Sequence, residues 1–191
     1  MGLDSYVYRI RRAKPLENRT YTPDELREFD LDYFLKDEPD EELVKQLMPY
    51  CQEVQVRSSW VDVRKICEEY GLSNDSYVCM QRGNGDIGIT DPAKKENSYT
   101  AISAKEIEAK FLLERTLPYC VYRSEEVAYW RKNYSVQDFF YENLDHVENT
   151  GFYLLDADVL TDFNLAFGDS LGGLPVAAPT DEQALFYHEW Y

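Results

Sequence analysis

The feature that most constrains the fold is the amphipathic run 125–142, the longest clearly periodic stretch of the chain. On a helix, its apolar side chains would cover roughly half of the circumference, with Trp130 and Tyr134 on one edge and Val136 and Phe140 on the other. Ser124 is placed to cap the first turn of such a helix. The pattern predicts a central helix over 125–142, buried against more than one neighbour.

Shorter signals predict the other elements. Residues rich in Val and aromatic side chains favour strands at 5–9, 53–57, 76–81 and 151–155. Capping-box patterns predict helices that begin after Thr22, Ser103 and Thr180. Pro118 makes 117–122 a linker or a short edge strand, and the Gly/Pro-rich segment 167–179 is expected to be a loop. The sequence predicts a single α+β domain over 1–191, with helices packed on an antiparallel or mixed sheet.

A glycine-rich segment admits two interpretations. Gly83, Gly85 and Gly88 match the G-x-G-x-x-G spacing of dinucleotide-binding loops, but Asp91-Pro92 follows where that motif needs a helix. Asn84-Gly85 is a strong signal for a two-residue turn. We therefore expect a β-hairpin near 78–90, turning at Asn84-Gly85.

The charge balance restricts the partners. The chain has 36 acidic and 20 basic side chains, a formal net charge of −16. Such a field disfavours binding to nucleic-acid backbones and anionic membranes, and it favours a basic protein. The densest acidic cluster is predicted to be exposed and to bind a partner, with a second patch on a later helix. These candidates are Asp37, Glu38, Asp40, Glu41 and Glu42, and then Glu68 and Glu69.

Chemical sites are sparse in the sequence. The four cysteines contain no C-x-x-C pair and only two histidines accompany them, so we expect free thiols, no metal and no cofactor. No secretory signal pattern or long apolar span is present, which favours a cytoplasmic setting. Two sets of residues could serve an enzyme if the fold brought them together: the carboxylates Asp4, Asp86, Asp91 and Asp138, and the pair Cys120 and His146.

Two blocks carry a family resemblance. The opening 1–8 is similar to the start M-G-L-D-x-Y-L-Y of a family of uncharacterised bacteriophage and prophage proteins. The block 126–132 is similar to the family's V-x-Y-W-R-K segment, and 151–155 and 186–191 resemble its later blocks. The motif positions of this sequence are Asp4, Tyr129, Trp130, Arg131 and Lys132.

The resemblance implies an origin in a phage or mobile element and an intracellular setting, with no established activity. The sequence departs from the family pattern at Tyr134, Gln137 and Phe139, where the family has Asn, His and Trp. Histidine is the side chain best suited to proton transfer near neutral pH. If that His performs chemistry in the relatives, Gln137 cannot replace it here.

Charge, sparse chemistry and resemblance together predict a non-catalytic function. We expect an acidic interaction protein that inhibits a host nucleic-acid-binding defence nuclease, of the anti-CRISPR or anti-restriction type, by occluding its basic channel. One alternative is a small carboxylate-dependent enzyme acting on nucleotides or nucleic acid. Another is a non-catalytic accessory protein of phage DNA metabolism or assembly.

Overall fold

The computed structural model describes residues 4–36, 41–73, 77–81, 86–90 and 99–190; at 41, 77–81, 90, 99 and 100 it describes the backbone alone. The strands are β1 Asp4–Arg11, β2 Thr20–Tyr21, β3 Asp32–Leu35, β4 Gln52–Val61, β5 Tyr77–Gln81, β6 Ile87–Thr90, β7 Tyr99–Ile102, β8 Leu112–Arg131, β9 Phe152–Leu155 and β10 Gln183–Trp190. The helices are α1 Pro23–Glu28, α2 Glu41–Val44, α3 Val63–Tyr70, α4 Ala104–Glu106, α5 Tyr134–Asn143 and α6 Ala157–Leu171. A 3₁₀ turn covers Met48–Tyr50, and a π-helical turn, Ile107–Phe111, follows α4.

The strands form two sheets. The larger has the order β2-β4-β8-β1-β10-β9, with β3 also paired to β8; the smaller has the order β5-β6-β7. The β2–β4 pair is parallel, whereas β1 pairs antiparallel with both β8 and β10. The predicted α+β class with a mixed sheet is therefore confirmed.

The chain divides into two compact units, residues 1–56 with 117–191 and residues 57–116. The sequence predicted one domain over 1–191 and gave no sign of this division. In the smaller unit, a core rich in isoleucine joins α3 to its sheet and to the π-helical turn, at Ile66, Ile87, Ile89, Ile102, Ile107 and Phe111. The antiparallel pairing of β5 with β6 confirms the hairpin near 78–90, whereas its turn at Asn84-Gly85 lies outside the described residues.

The predicted helix over 125–142 is wrong for its first half. Residues up to Arg131 belong to the long strand β8, and α5 begins only at Tyr134. Lys132 adopts a left-handed conformation with φ 53°, and the side chain of Asn133 caps α5 by accepting from the Val136 N–H. The hydrogen bonds that β8 makes with β1 satisfy its backbone, so tertiary pairing overrides the local helical pattern.

Burial of the predicted core residues is partly as expected. Trp130, Val136 and Phe140 are buried, but Tyr134 is 63% exposed at the first position of α5. The expected cap Ser124 lies instead in β8, where its hydroxyl donates to the carboxylate of Asp32 on β3. Trp130 is therefore buried because successive side chains of a strand point to opposite faces of the sheet, and not because of a helical period.

The helix predicted after Thr180 is also wrong, because Gln183–Trp190 is the strand β10. The Thr180 hydroxyl does accept from the backbone of Gln183, but the Thr180 N–H donates to the Gln183 carbonyl and closes a turn. β10 lies between β1 and β9, so both of its edges have partners. This two-sided pairing outweighs the capping signal.

Two loop predictions need correction. Pro118 lies inside β8, one residue beyond the register with β3, and its carbonyl accepts from the Lys36 N–H. The segment 167–179 is a loop only from Gly172 onward, because α6 continues to Leu171. Phe167 packs against Phe163 within this helix, with 5.1 Å between ring centroids.

Other local predictions are confirmed. The strand expected at 5–9 is part of β1, and the strand at 151–155 corresponds to β9. Thr22 forms a complete capping box with Glu25, and Pro23 occupies the first position of α1. Ser103 caps α4 by accepting from the Glu106 N–H.

Candidate functional site

The segments that carry the family resemblance come together in four adjacent strands. β1 holds the opening block and pairs with the end of β8, which holds the Tyr-Trp-Arg-Lys block. On its other edge β1 pairs with β10, the aromatic chain end, and β10 pairs with β9. Blocks that are far apart in sequence thus form one continuous surface, and the family-motif positions lie close together at one end of it.

The side chains of these strands alternate between two faces. The inner face, Ser5, Val7, Trp130, Tyr187 and Glu189, lies on the side of α5 and α6. The outer face carries Asp4, Tyr6, Tyr8, Tyr129 and His188. Because paired residues of antiparallel strands project to the same side, the strand register fixes these two sets.

On the inner face, Val7, Trp130 and Tyr187 belong to an aromatic core shared with the two helices. Trp130 packs against Phe163 of α6, with 5.4 Å between ring centroids, and Tyr187 stacks on Phe140 of α5 at 4.1 Å. Trp130 therefore has a packing role, and its predicted burial is confirmed.

One carboxylate is buried on this apolar face. Glu189 is 0% exposed and faces Ser5 across the β1–β10 pair. Its Oε1 accepts from the Gln137 amide on α5, while its Oε2 has no hydrogen-bond partner among the described residues. The hydroxyl groups of Ser5 and Tyr187 form a hydrogen bond of 3.1 Å. Gln137, where the sequence departs from the pattern that it resembles, thus contacts a buried acid that the sequence did not single out.

Burial raises the pKa of Glu189, because desolvation disfavours the charged form. Hydrogen bonds from Tyr141 and Gln137 act in the opposite direction, since they stabilise the carboxylate. Desolvation by burial raises the pKa of the neighbouring Tyr187 hydroxyl well above its usual range, and the charge of Glu189 adds to it. The cluster can hold a proton within the core, but Gln137 cannot exchange one.

On the outer face, aromatic rings form a continuous row. Tyr129, Tyr6 and Tyr8 stack in that order, with centroid distances of 4.9 Å and 5.4 Å. His188 lies about 6 Å from both Tyr6 and Tyr8, and Phe152 of β9 stacks on it at 4.4 Å. Tyr129 is 43% exposed, so the row has one open end.

Carboxylates border this row. The Tyr129 hydroxyl donates to Asp4 at 3.1 Å, and Arg131 reaches the same carboxylate oxygen at 4.0 Å. Glu126 is exposed on the same face opposite Tyr8. Burial and the negative charges of Glu126 and Asp32 raise the pKa of Tyr8 to about 12. Lys132 is exposed at the bend that ends β8.

A third feature is the charge of the chain after Lys132. Residues 133–191 contain no Lys or Arg and eleven acids: Asp138, Glu142, Asp145, Glu148, Asp156, Asp158, Asp162, Asp169, Asp181, Glu182 and Glu189. The preceding 132 residues hold all 20 basic side chains and 25 acids. A count of Lys and Arg along the sequence would have found this segment, which the cluster at 37–42 obscured.

All of these acids except Glu189 are exposed. Asp138 and Glu142 lie one turn apart on α5, and Asp158, Asp162 and Asp169 lie on one side of α6, at spacings of four and seven residues. Within the described parts of the chain, none of the exposed acids after Lys132 forms an ion pair. We call the five helical acids the acidic helix surface; they are Asp138, Glu142, Asp158, Asp162 and Asp169.

The structure describes only some of the acidic candidates that were predicted from the sequence. Asp37, Glu38 and Asp40 lie outside the described residues, and Glu41 begins α2. The side chain of Glu42 is 79% exposed and lies 3.4 Å from Lys45. Glu68 and Glu69 are exposed on α3, as expected, but Glu69 pairs with Lys110 at 2.8 Å. A neighbouring cation therefore partly neutralises each of Glu42 and Glu69.

The residues considered for catalysis have other roles where the structure describes them. Asp86 accepts from the Ala104 N–H at the start of α4, and Asp138 is exposed on α5. Cys120 is buried within β8, whereas His146 is exposed in a turn with φ 47°. Asp91 lies outside the described residues.

Cys51, Cys67 and Cys120 are free thiols, and burial raises the pKa of Cys51 to about 12. Cys79 belongs to the residues whose side chains are not described. In the part of the chain that the structure describes, no three His, Cys, Asp or Glu side chains form a group that could hold a metal ion.

A surface pocket of about 150 Å³ lies between β1, β10 and the loop after α6. Arg9 and Arg11 line it, but both approach Glu125, at 2.9 Å and 3.2 Å. Their charge is therefore shared with a carboxylate and is not free for an anion.

Within the described ranges, no helix is both long and apolar enough to cross a membrane. No protein-family model, no curated protein and no solved structure matches this chain.

Proposed function

We propose that this protein acts by binding, without catalysis, and that its acidic helix surface docks onto a basic partner. The observation that carries the proposal is the charge of the segment after Lys132, where acids have no basic neighbours in the sequence and form no ion pairs in the described structure. This segment supplies −11 of the net charge of −16. Its field attracts basic proteins and speeds their association.

The placement of these acids supports recognition over simple solvation. Glu142 and Asp169 lie in the last turns of α5 and α6, where the helix dipole is negative and no basic residue is present. An acid at such a position is unfavourable by about 0.3–1 kcal/mol, and like charges one turn apart cost a further ~0.2–0.5 kcal/mol. Acids could keep the chain soluble from many positions without this cost, so we infer that the surface is used.

The class of partner follows from the same charge. Exposed carboxylates that repel nucleic acid can take the place of phosphates in a channel lined by Lys and Arg. We propose that the partner is a host nucleic-acid-binding defence protein, such as a CRISPR effector or a restriction enzyme, and that binding occludes its channel. The resemblance to phage and prophage proteins supports this choice of partner.

The experiment is a capture assay with charge variants. The immobilised protein is exposed to a bacterial lysate at low and high salt, and the captured protein is purified and tested for competition with its nucleic acid. We expect capture to weaken as salt rises, because screening shortens the reach of surface charges. Neutralising the acidic helix surface by Asp138→Asn, Glu142→Gln, Asp158→Asn, Asp162→Asn and Asp169→Asn should weaken binding by orders of magnitude.

A matched variant tests the cluster predicted from the sequence. Reversing charge at Glu38, Asp40, Glu41 and Glu42 to Lys should have a smaller effect if the acidic helix surface is the docking site. If neither variant changes binding or its salt dependence, the acidity serves solvation and the proposal is wrong. Turnover of a nucleotide by the purified protein, lost in one carboxylate variant, would support an enzyme instead.

A further inference from the structure

The end of the outer face at Asp4 and Tyr129 is a second surface that could bind a partner, on the side away from the acidic helix surface. Beyond Tyr8 the same face is covered, because Ile10 and Phe186 belong to a buried core there. The stacked row of rings begins at Tyr129 on β8, which is 43% exposed. Trp190, at the end of β10, is 64% exposed. Trp190 pairs with Asp4 in the strand register, so its side chain projects on this outer face. Aromatic area of this kind on the surface of a sheet is a recognised sign of an interaction site.

The charges around the row select the chemistry of the occupant. Asp4 lies next to Tyr129, and Glu126 and Asp32 are close enough to Tyr8 to raise its pKa. Burial lowers the pKa of His188 and so disfavours a positive charge on this ring, while the hydrogen bond from its Nδ1–H to the Gly151 carbonyl, at 2.9 Å, acts in the opposite direction. The faces of tyrosine rings are electron-rich, and carboxylates beside them add to the negative potential.

We propose that this end of the outer face binds arginine side chains of a partner protein, one of which stacks on the open ring of Tyr129 while the guanidinium groups pair with Asp4 and Glu126. Arginine combines a planar cation with the ability to stack and to form paired hydrogen bonds with a carboxylate. The only basic group found at Asp4 within the described structure is Arg131, whose side chain is 70% exposed and lies 4.0 Å away. An incoming arginine can take the place of this weak, solvent-screened pair.

The row is less suited to nucleic acid, which also stacks on aromatic rings. Binding of single strands combines stacking with a positively charged groove for the backbone. Here Asp4, Glu126 and Asp32 border the rings instead. The site is independent of the acidic helix surface, because it lies on the opposite face of the sheet and uses different residues.

The test measures the binding of a synthetic peptide of about eight arginines to the full-length protein. Binding is followed by the fluorescence of the exposed Trp190 and by titration calorimetry. A peptide in which citrulline replaces arginine keeps the shape of the side chain and removes its charge, so it should not bind. A lysine peptide should bind more weakly than the arginine peptide, since an ammonium group cannot stack.

Variants separate the rings from the general charge. Tyr129→Leu should weaken binding of the arginine peptide about three- to tenfold, as expected for loss of one exposed cation–π contact. Tyr129→Phe keeps the ring and should retain the affinity. Tyr134→Leu is the matched control, because Tyr134 is 63% exposed on α5 and lies away from this face. Arg131→Gln should strengthen binding, since it removes the cation that competes for Asp4.

Several outcomes would overturn the inference. They are equal binding of the citrulline peptide, no effect of Tyr129→Leu, or binding of a single-stranded oligonucleotide in preference to the arginine peptide. Loss of lysate capture on neutralising the acidic helix surface, with no effect of Tyr129→Leu on the peptide, would leave the proposed function standing and remove only this site.

Discussion

The inner and outer faces of strands β8, β1, β10 and β9 use similar residues for different purposes. Trp130 and Tyr129 are neighbours in the chain, yet Trp130 is 9% exposed in the helix-covered core and Tyr129 is 43% exposed beside Asp4. In the described structure the inner face buries one carboxylate, that of Glu189, whereas several exposed carboxylates border the outer row. The comparison teaches that an aromatic residue in this chain has a stabilising or a binding role according to the face on which the strand register places it.

The sharpest test of this comparison is a pair of alanine substitutions at adjacent positions. Trp130→Ala removes a ring packed against Phe163 and should lower the free energy of unfolding by about 3–5 kcal/mol. Tyr129→Ala should lower it by about 1 kcal/mol or less, because its site is open to water. Urea unfolding of both variants measures the difference. Similar losses for the two would contradict the assignment of the faces.

The next largest effect concerns the buried acid of the inner face. Gln137→Leu removes the amide that donates to Glu189 and leaves this buried carboxylate with one hydrogen bond fewer, at a cost of about 1–3 kcal/mol. Adding Glu189→Met should restore much of that stability, since both polar partners are then replaced. Urea unfolding of the two single variants and the double variant completes a double-mutant cycle. Losses of stability that simply add would show that Gln137 and Glu189 are not coupled.

Glu189 also predicts a pH dependence of the stability. Its pKa is raised in the folded protein, so folding favours the protonated acid. The free energy of unfolding therefore decreases as pH rises from the usual pKa of a glutamate through the raised value. Above the raised value, the loss of stability caused by the ionised Glu189 no longer changes with pH. Glu189→Gln should be more stable than the parent at neutral pH, with the difference vanishing in acid. Urea unfolding at several pH values measures this, and a gain independent of pH would refute it.

The smallest effect concerns the acidic helix surface above the inner face. Glu142→Gln removes an acid from the last turn of α5 and a like-charge neighbour of Asp138, so it should stabilise the protein by about 0.3–1 kcal/mol at low salt. Screening should abolish the gain at high salt. Thermal unfolding at both salt concentrations measures it. A gain unchanged by salt would show that the effect is not electrostatic.

Local chemistry in the sequence predicted part of this structure well. The complete capping box of Thr22 and the side-chain cap at Ser103 were predicted, because each depends on residues within one turn. The strand at 5–9 and the β5–β6 pairing were also predicted. The candidate site was predicted only in pieces: Asp4, Tyr129 and Arg131 were named, but nothing in the sequence showed that they meet.

The sequence by itself determined the composition of this protein: an acidic chain whose last 59 residues have no Lys or Arg, with aromatic blocks near both ends. Tertiary structure decided what those blocks became. Residues 125–131 and 183–190 carry helix-like signals, yet both are strands, because β1 offers each a backbone edge to pair with. That pairing places Gln137 against Glu189 and Tyr129 against Asp4. Hydrogen bonds between strands far apart in the chain have no local signature, so only the folded structure could reveal either face.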